Sequence, residues 1–292
     1  MQCMFFRCCR VAEDVREDHV KYVADEPDLL LGEGTFGSVY LERRASGNPV
    51  AVKYIKAPNK ITRDRALREV YLQSRMHHPN IAAVLEVHLG STVRIVQEFA
   101  GYQTLLDLMC DPPKTRDRGL CDSYTRGIAD ALVHMHSRGV CHLDLKPENV
   151  GVKDSHVRLF DFGMSREVDP MTHLRETSGT VAYAAPEILA DRPYHGTPAD
   201  LWSFGVLYFA LLYKCMPFDK ACSSCKAFRA FHFAQEYRNK SVEESIASAY
   251  ASTSFLTRGD VTPAHRRVLE AVLQTHPDRR SRIDQVRPLL PA

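Results

Sequence analysis

Residues 142–149 read HLDLKPEN, and residues 161–163 read DFG. Together these two stretches supply a base, a cation and two candidate metal ligands. Asp144 can accept a proton from a hydroxyl, and Lys146 can neutralise charge on a transferred phosphoryl group. Asn149 and Asp161 carry oxygen atoms of the kind that Mg²⁺ prefers. Because phosphoryl transfer depends mainly on positioning and electrostatics, these four side chains predict an active site for that reaction.

A second phosphate-handling segment lies upstream, where residues 32–39 read GEGTFGSV. Its three glycines allow tight turning and bring backbone N–H groups close to phosphates. Residues 39–41 and 50–52 then have the composition of two strands around a turn at residues 46–49. A dinucleotide-binding loop would be followed by a helix instead, so this context favours a β-hairpin that covers phosphates.

A lysine and a glutamate follow this loop in the sequence. Lys53 closes the strand-like segment 50–53, and Glu69 lies in a segment, residues 65–76, whose apolar positions recur with helical spacing. Each residue alone could be an ordinary solvated side chain. Their combination with the two motifs above predicts an ion pair that positions Lys53 toward phosphates.

In this order and spacing the segments resemble the catalytic domain of eukaryotic-type serine/threonine protein kinases, over about residues 28 to 288. Residues 179–187, GTVAYAAPE, resemble the substrate platform and Ala-Pro-Glu motif of that family. Residues 200–205, DLWSFG, resemble the start of its buried central helix. The resemblance implies an α+β fold with two lobes, a small antiparallel β-sheet lobe and a larger, mainly helical lobe. We expect an N-terminal extension over 1–26, the N-lobe over 27–98 and the C-lobe over 99–292.

The resemblance also implies the roles of individual residues. Lys146 and Thr180 are the pair that, in serine/threonine kinases, bridges to the catalytic aspartate, here Asp144. Asn149 and Asp161 would hold the metal. The residues implied for nucleotide binding are Leu31, Gly32, Gly34, Gly37, Val39, Ala51, Lys53, Glu69, Gln97, Glu98, Ala100 and Gly151. The substrates expected are ATP with Mg²⁺, for which Mn²⁺ could substitute, and proteins.

The resemblance further implies specific roles at the hinge between the lobes and in the C-lobe. The backbone groups of Glu98 and Ala100 would bind adenine at the hinge between the lobes, and Gln97 would occupy the gatekeeper position. Asp200 would hold the backbone of the catalytic loop. Arg280 would pair with Glu187 of the Ala-Pro-Glu motif.

The chain departs from the family pattern in the segment that controls activity. Leu143 replaces the arginine that normally binds an activation-loop phosphate, and leucine cannot bind phosphate. Glu176 occupies the usual phosphorylated position, with Thr177 and Ser178 beside it. Because Glu176 already carries a negative charge, we expect activity that does not depend strongly on activation-loop phosphorylation.

A further departure is Gly151, which stands where kinases usually place an apolar residue under the adenine ring. The sequence therefore predicts a gap there, unless Val150 or Val152 fills it. On this reasoning, Gly151→Leu should tighten ATP binding. Leucine between the catalytic histidine and aspartate also occurs in Mos-type kinases, and a domain without appendages resembles kinases of some large DNA viruses, so the origin of the chain stays open.

Two alternative functions follow from the same residues. The first is a pseudokinase that acts as a binding scaffold, which Gly151 alone favours. The second is a small-molecule phosphotransferase of the aminoglycoside-kinase type, which shares the His-x-Asp, Asn and Asp arrangement. Lys146, Thr180 and the Ala-Pro-Glu motif favour a protein substrate over a small molecule.

Composition limits the partners that the chain can have. Among 292 residues, 38 Lys and Arg balance 36 Asp and Glu, so no general attraction to nucleic acid or acidic membranes is implied. The sequence has no apolar run of membrane-spanning length. We expect a globular, intracellular protein, cytoplasmic or nuclear and monomeric.

The nine cysteines are scattered and odd in number, which argues against a disulfide framework. We expect reduced thiols. Cys222 and Cys225 could bind zinc together with Cys215 or a histidine, but no second close pair follows, so free cysteines are favoured. Acylation of the N-terminal Cys3, Cys8 and Cys9 is an alternative to an unstructured leader.

Overall fold

The computed structural model describes residues 29–34, 37–44, 47–111, 117–169, 171–177, 179–250, 256 and 259–291. The possible acylation sites near the N-terminus and the loop residues Thr35, Phe36 and Ser178 lie outside these ranges. Within them, the chain forms a sheet lobe followed by a helical lobe. The α+β, two-lobed fold predicted from the sequence is confirmed, whereas the expected domain boundaries stay predictions.

The N-terminal lobe is built on a five-stranded antiparallel sheet in the order β1-β2-β3-β5-β4. Its strands are β1 (Leu29–Gly34), β2 (Gly37–Arg43), β3 (Pro49–Lys56), β4 (Val84–His88) and β5 (Thr92–Glu98). Val39 pairs with Lys53, and Ala51 pairs with Gln97. Because side chains alternate along a strand, Ala51 and Lys53 point to the same face of the sheet.

Helix α1 (Lys60–Ser74) follows β3 and precedes β4 in the sequence, and it packs on this sheet. It begins where the side chain of Asn59 accepts a hydrogen bond from the Thr62 backbone N–H at 3.0 Å. Ala66, Glu69 and Leu72 lie on its buried face. A carboxyl group among apolar residues needs a partner, and Lys53 of β3 provides it.

The C-terminal lobe contains the remaining elements. Its helices are α2 (Leu105–Met109), α3 (Arg118–His136), α4 (Pro186–Leu189), α5 (Gly196–Tyr213), α6 (Lys226–Arg238), α7 (Val242–Ala247), α8 (Pro263–Val272) and α9 (Ile283–Val286). Its short strands are β6 (Gln103–Thr104), β7 (Val140–Cys141), β8 (Val150–Lys153), β9 (His156–Leu159) and β10 (Arg166–Glu167). The order β6-β8-β9 forms one small sheet, and β7 pairs with β10.

Helix α5 is the centre of the C-terminal core, because it is apolar on all sides and almost wholly buried. Its Trp202 stacks on Phe218 at 5.6 Å between ring centroids. Phe228 and Phe231 of α6 meet the same indole edge-on. Lys214, which follows the last residue of the helix and caps its C-terminal end, adopts a left-handed conformation with φ of 60°. Among the residues that the structure describes, no helix is both long enough and apolar enough to cross a membrane.

Candidate active site

Helix α5 anchors the loop at residues 142–149. Asp200, fully buried near the start of that helix, accepts hydrogen bonds from the backbone N–H groups of His142 and Leu143, both at 2.8 Å. The ring of His136 lies 2.8 Å from the same carboxylate. These contacts hold Leu143 in a left-handed conformation with φ of 64°, which a leucine rarely adopts unaided. The loop is therefore fixed before any substrate binds.

Asp144 lies at the centre of a hydrogen-bond network that joins this loop to the activation segment. Thr180 donates to its Oδ1 from the backbone N–H at 2.8 Å and from the hydroxyl at 2.9 Å. Lys146 Nζ lies 3.0 Å from Oδ2 and also donates to the Thr180 hydroxyl at 2.7 Å. The structure thus brings together all three residues predicted to be catalytic.

Asn149 completes the network from the other side. Its amide nitrogen donates to the Asp144 backbone carbonyl at 2.9 Å and to the Asp144 carboxylate at 3.2 Å. Since the nitrogen is used in this way, the amide oxygen is the atom left for a metal ligand.

Lys53, Glu69 and Asp161 form a charge cluster between the lobes, in which Lys53 and Glu69 are buried and Asp161 is partly exposed. Lys53 Nζ lies 2.6 Å from Glu69 Oε1 and 2.8 Å from Asp161 Oδ1. Burial disfavours the charged form of Lys53, but the two carboxylates outweigh burial and raise the pKa of Lys53 above its ordinary value. Burial likewise opposes the charge on Asp161, yet Lys53 lowers the pKa of that carboxyl below its ordinary value. Both groups are therefore charged at neutral pH.

A divalent cation fits the residues around this cluster. Asp161, an ionised carboxylate, and Asn149, with its free amide oxygen, line the same cleft as Asp144. Hard cations such as Mg²⁺ take one or two protein oxygens in such sites and complete their coordination with phosphate oxygens and water. The donor set therefore matches the predicted metal.

The cleft between the lobes has a volume of about 650 Å³. It is lined by most of the residues predicted to contact nucleotide: Leu31, Gly32, Gly37, Val39, Ala51, Lys53, Gln97, Glu98, Ala100 and Gly151. Of the two others, Gly34 is the last residue of β1, and Glu69 pairs with Lys53. A volume of this size suits a nucleotide.

The sequence matches a known protein family. A family model described as the protein kinase domain matches residues 26–288. This chain belongs to the protein kinase family.

Several curated kinases are similar to this kinase domain. It is 37% identical over 195 residues to the NUAK family SNF1-like kinase 2 of Rattus norvegicus, covering 65% of this chain and 31% of the relative. It is 34% identical over 297 residues to the CBL-interacting protein kinase 4 of Oryza sativa subsp. japonica, covering 94% of this chain and 60% of the relative. The serine/threonine-protein kinase SRK2F of Arabidopsis thaliana is 36% identical over 200 residues, covering 66% and 56%. The chain thus spans from about a third to about 60% of the length of these relatives.

The gap predicted beside Gly151 is wrong, because the hinge of the kinase domain fills it. A Cβ atom at residue 151 would lie 2.5 Å from the Cβ of Ala100 and 2.8 Å from its carbonyl oxygen. Thr104 of β6 pairs with Gly151 of β8. A Cβ at residue 101, where φ is 125°, would overlap the backbone carbonyl oxygen of Val152. Glycine at 101 and 151 allows this approach of two backbones. The expectation that Gly151→Leu would tighten ATP binding is therefore reversed.

The gatekeeper side chain is held by a residue that sequence reasoning missed. Gln97, which is buried, accepts a hydrogen bond from Gln73 Nε2 at 2.9 Å. The same Gln73 nitrogen donates to the carbonyl oxygen of Ala82 at 2.9 Å. A glutamine on the apolar face of α1 was the signal that could have identified it, since a buried amide requires partners. The cleft is also lined by Glu148 and Gly179, which lie within the quoted motifs but have no predicted role. Residues outside those motifs complete the lining: Phe99, Gly101, Tyr102, Thr104, Asp107, Phe160 and Met164.

The activation segment carries an ion pair between Glu176 and Arg166 of β10. Burial and the Arg166 cation lower the pKa of Arg68 in α1, although the Glu176 carboxylate opposes this change. Tyr194 donates its hydroxyl to the Glu176 backbone carbonyl at 3.0 Å. Leu143, at the position of the missing arginine, is buried in the core. An arginine outside the catalytic loop, Arg166, therefore pairs with the glutamate of the activation segment.

A buried ion pair fixes the end of the activation segment to the C-terminal core. Arg280 binds Glu187 through two hydrogen bonds of 2.6 and 2.8 Å. Its guanidinium also lies over the ring of Trp202, 5.1 Å from the centroid. Such a planar, bidentate contact positions α4, and with it the substrate platform, against α5.

Proposed function

We propose that this kinase domain transfers the γ-phosphate of ATP to serine and threonine hydroxyl groups of protein substrates. The observation that carries the proposal is the contact of Asp144 with both Thr180 and Lys146. It places a base, a cation and the activation segment around one point in the cleft. The names of several relatives, including the serine/threonine-protein kinase SRK2F, support the same choice of substrate.

In the proposed reaction, Asp144 orients the substrate hydroxyl and accepts its proton. Its two oxygens are held by Thr180 on one side and by Lys146 and Asn149 on the other, so the carboxylate does not rotate as the hydroxyl approaches. Lys146 neutralises negative charge on the phosphoryl group during transfer. These residues supply positioning and electrostatic stabilisation, which is most of what phosphoryl transfer requires.

The triphosphate would lie along the side of the cleft that the N-lobe forms. Lys53, held by Glu69 and Asp161, would contact its phosphates. The glycines of β1 and β2 would approach them from above, and the hinge backbone at Glu98 and Ala100 would bind adenine. Mg²⁺, when bound by Asn149 and Asp161, supplies positive charge beside the phosphate oxygens.

We further propose that activity does not depend strongly on phosphorylation of the activation segment. Glu176 already provides a carboxylate at the position where a phosphate would act, and it is paired with Arg166. The pair is partly exposed and would contribute only about 0–1 kcal/mol, so its proposed role is to position the segment and not to stabilise the fold.

The test is transfer of labelled γ-phosphate from Mg-ATP to generic protein substrates, followed by phosphoamino-acid analysis. The wild type should yield phosphoserine and phosphothreonine. Asp144→Asn should lower kcat about 10²- to 10⁴-fold, the usual contribution of a general base. The matched control is Asp154→Asn, the same chemical change in an exposed turn where φ is 50°, which asparagine tolerates.

Two outcomes would contradict the proposal. Phosphotyrosine as the main product would reject the substrate class. Nucleotide binding without transfer to any protein would favour a binding scaffold instead.

A further inference from the structure

Cys222 and Cys225 flank a tight turn just before α6. The backbone N–H of Cys225 donates to the carbonyl oxygen of Cys222 at 3.0 Å, which closes a four-residue turn. In such a turn the first and fourth Cα atoms lie within about 7 Å. A disulfide requires a Cα separation of about 4.4–6.8 Å, so this pair can be bridged with little movement of the backbone. Both cysteines are free thiols in the structure.

The two thiols have different environments. Cys222 is partly exposed and lines a groove of about 860 Å³ beside α4 and α6, whereas Cys225 is buried at the start of α6. Cys222 Sγ lies 3.1 Å from the hydroxyl oxygen of Ser224. This hydrogen bond, helped by backbone N–H groups of the turn and by Lys220, lowers the pKa of the Cys222 thiol. Cys222 is therefore the better nucleophile, and Cys225 is the inner partner.

The zinc alternative receives no support from the surroundings of the pair. Within the described residues, the one group of three metal-ligand side chains that lie close together is His136, Cys141 and Asp200. It does not include Cys222 or Cys225, and Asp200 already holds the catalytic loop. Two thiols that have no third ligand among the described residues are suited to redox chemistry instead.

We propose that Cys222 and Cys225 form a reversible disulfide when the protein meets hydrogen peroxide. The Cys222 thiolate attacks one peroxide oxygen, so that an S–O bond forms, the O–O bond breaks and hydroxide leaves. Cys225 sulfur then attacks Cys222 sulfur, so that the S–S bond forms and the S–O bond breaks. The departing hydroxide takes the Cys225 proton as water. In total, two thiols lose two electrons and two protons, and one peroxide becomes two waters.

The chain offers a direct readout of this reaction. Trypsin cleaves after Lys220 and Lys226, so both cysteines fall in one peptide, residues 221–226. Oxidation of the full chain should lower the mass of this peptide by about 2 Da, the two hydrogens lost, and dithiothreitol should restore it. Cys225→Ser should stop at a sulfenic acid on Cys222, which dimedone traps. Cys222→Ser should leave Cys225 unoxidised.

Internal controls make the test specific. Cys110 is an exposed thiol outside the pair, and it should react with peroxide more slowly than Cys222. Ser224→Ala, which removes the hydroxyl beside Cys222, should slow the reaction, whereas Ser223→Ala at the neighbouring exposed serine should not. Neither cysteine lines the cleft that holds Asp144, so phosphate transfer to a small peptide should be the same before and after oxidation.

Several results would overturn the proposal. They are equal oxidation rates at Cys110 and Cys222, an unchanged rate in Ser224→Ala, and oxidation of Cys222 to sulfinic acid without loss of about 2 Da from the peptide.

Discussion

Gly151→Ala is the smallest change that tests how the hinge packs on β8. The added Cβ would lie 2.5 Å from the Cβ of Ala100. Carbon atoms in contact prefer about 3.5–4.0 Å, so the hinge or β8 must move by roughly 1 Å. Overpacking of this kind costs about 1–3 kcal/mol. Replacing a glycine also reduces the conformational entropy of the unfolded chain, which stabilises the fold by only about 0.4–1 kcal/mol. The clash is the larger effect, so the substitution should destabilise the fold.

The loss should be visible in both stability and nucleotide affinity. At about 2–4 °C per kcal/mol for a domain of this size, the Tm should fall by several degrees, as measured by thermal denaturation. Displacing the hinge should weaken a hydrogen bond to adenine worth about 0.5–1.5 kcal/mol, which raises the Kd for ATP about 2- to 12-fold in calorimetry.

Two further variants separate this clash from a general effect of replacing glycine. Gly90→Ala is the control, because the nearest heavy atom to its Cβ would be 3.5 Å away. Adding Ala100→Gly to Gly151→Ala removes the 2.5 Å contact but leaves the carbonyl oxygen at 2.8 Å, so rescue should be partial. Unchanged Tm together with unchanged or tighter ATP binding in Gly151→Ala would refute this account of the hinge.

Three other predictions concern the activation segment, the C-terminal core and the response to acid. Thr177→Ala combined with Ser178→Ala should retain most of the kcat for protein phosphorylation, and a loss of roughly a hundredfold, about 2.7 kcal/mol of barrier, would reject independence from phosphorylation. Arg280→Gln should lower the free energy of unfolding in urea by about 3–5 kcal/mol, because it leaves a buried carboxylate without its partner. Arg279→Gln, at a neighbour that is 56% exposed, should change that free energy by less than about 1 kcal/mol, and equal losses would contradict the reasoning. Burial, with nearby Arg138, lowers the pKa of His134 to about 4, so between about pH 6.5 and 4 the unfolded chain binds a proton that the folded chain does not. The free energy of unfolding should therefore decrease as the pH is lowered through this window, and it should decrease less steeply in His134→Gln. An equal dependence of that free energy on pH in the two proteins would show that this histidine does not contribute.

Linear motifs predicted most of the contacts between elements in the active site. Lys53 and Glu69 could be paired from sequence because each stands at a fixed place in a recognisable segment. Asp144 and Thr180 could be joined for the same reason, although 36 positions separate them in the chain. In these cases the identity of the residue carries the information, since few side chains can do the same chemistry.

The space beside Gly151 could not be predicted in this way. Whether a missing side chain leaves a void depends on how closely another backbone approaches, and that distance is set by the pairing of β6 with β8. The arginine that meets Glu176 also escaped prediction, because it comes from β10 and not from the catalytic loop. Packing distances and substitute partners are properties of the tertiary structure, so a motif alone does not reveal them.

Trp202 gives this protein a built-in optical probe. It is the single tryptophan of the chain, it is fully buried, and it touches Phe218 and the Arg280 guanidinium. Intrinsic tryptophan fluorescence therefore reports on one point in the C-lobe and does not sense the N-terminal sheet directly. If the sheet melts first, circular dichroism will change while fluorescence stays constant, so comparing the two signals shows whether the lobes unfold together or one after the other.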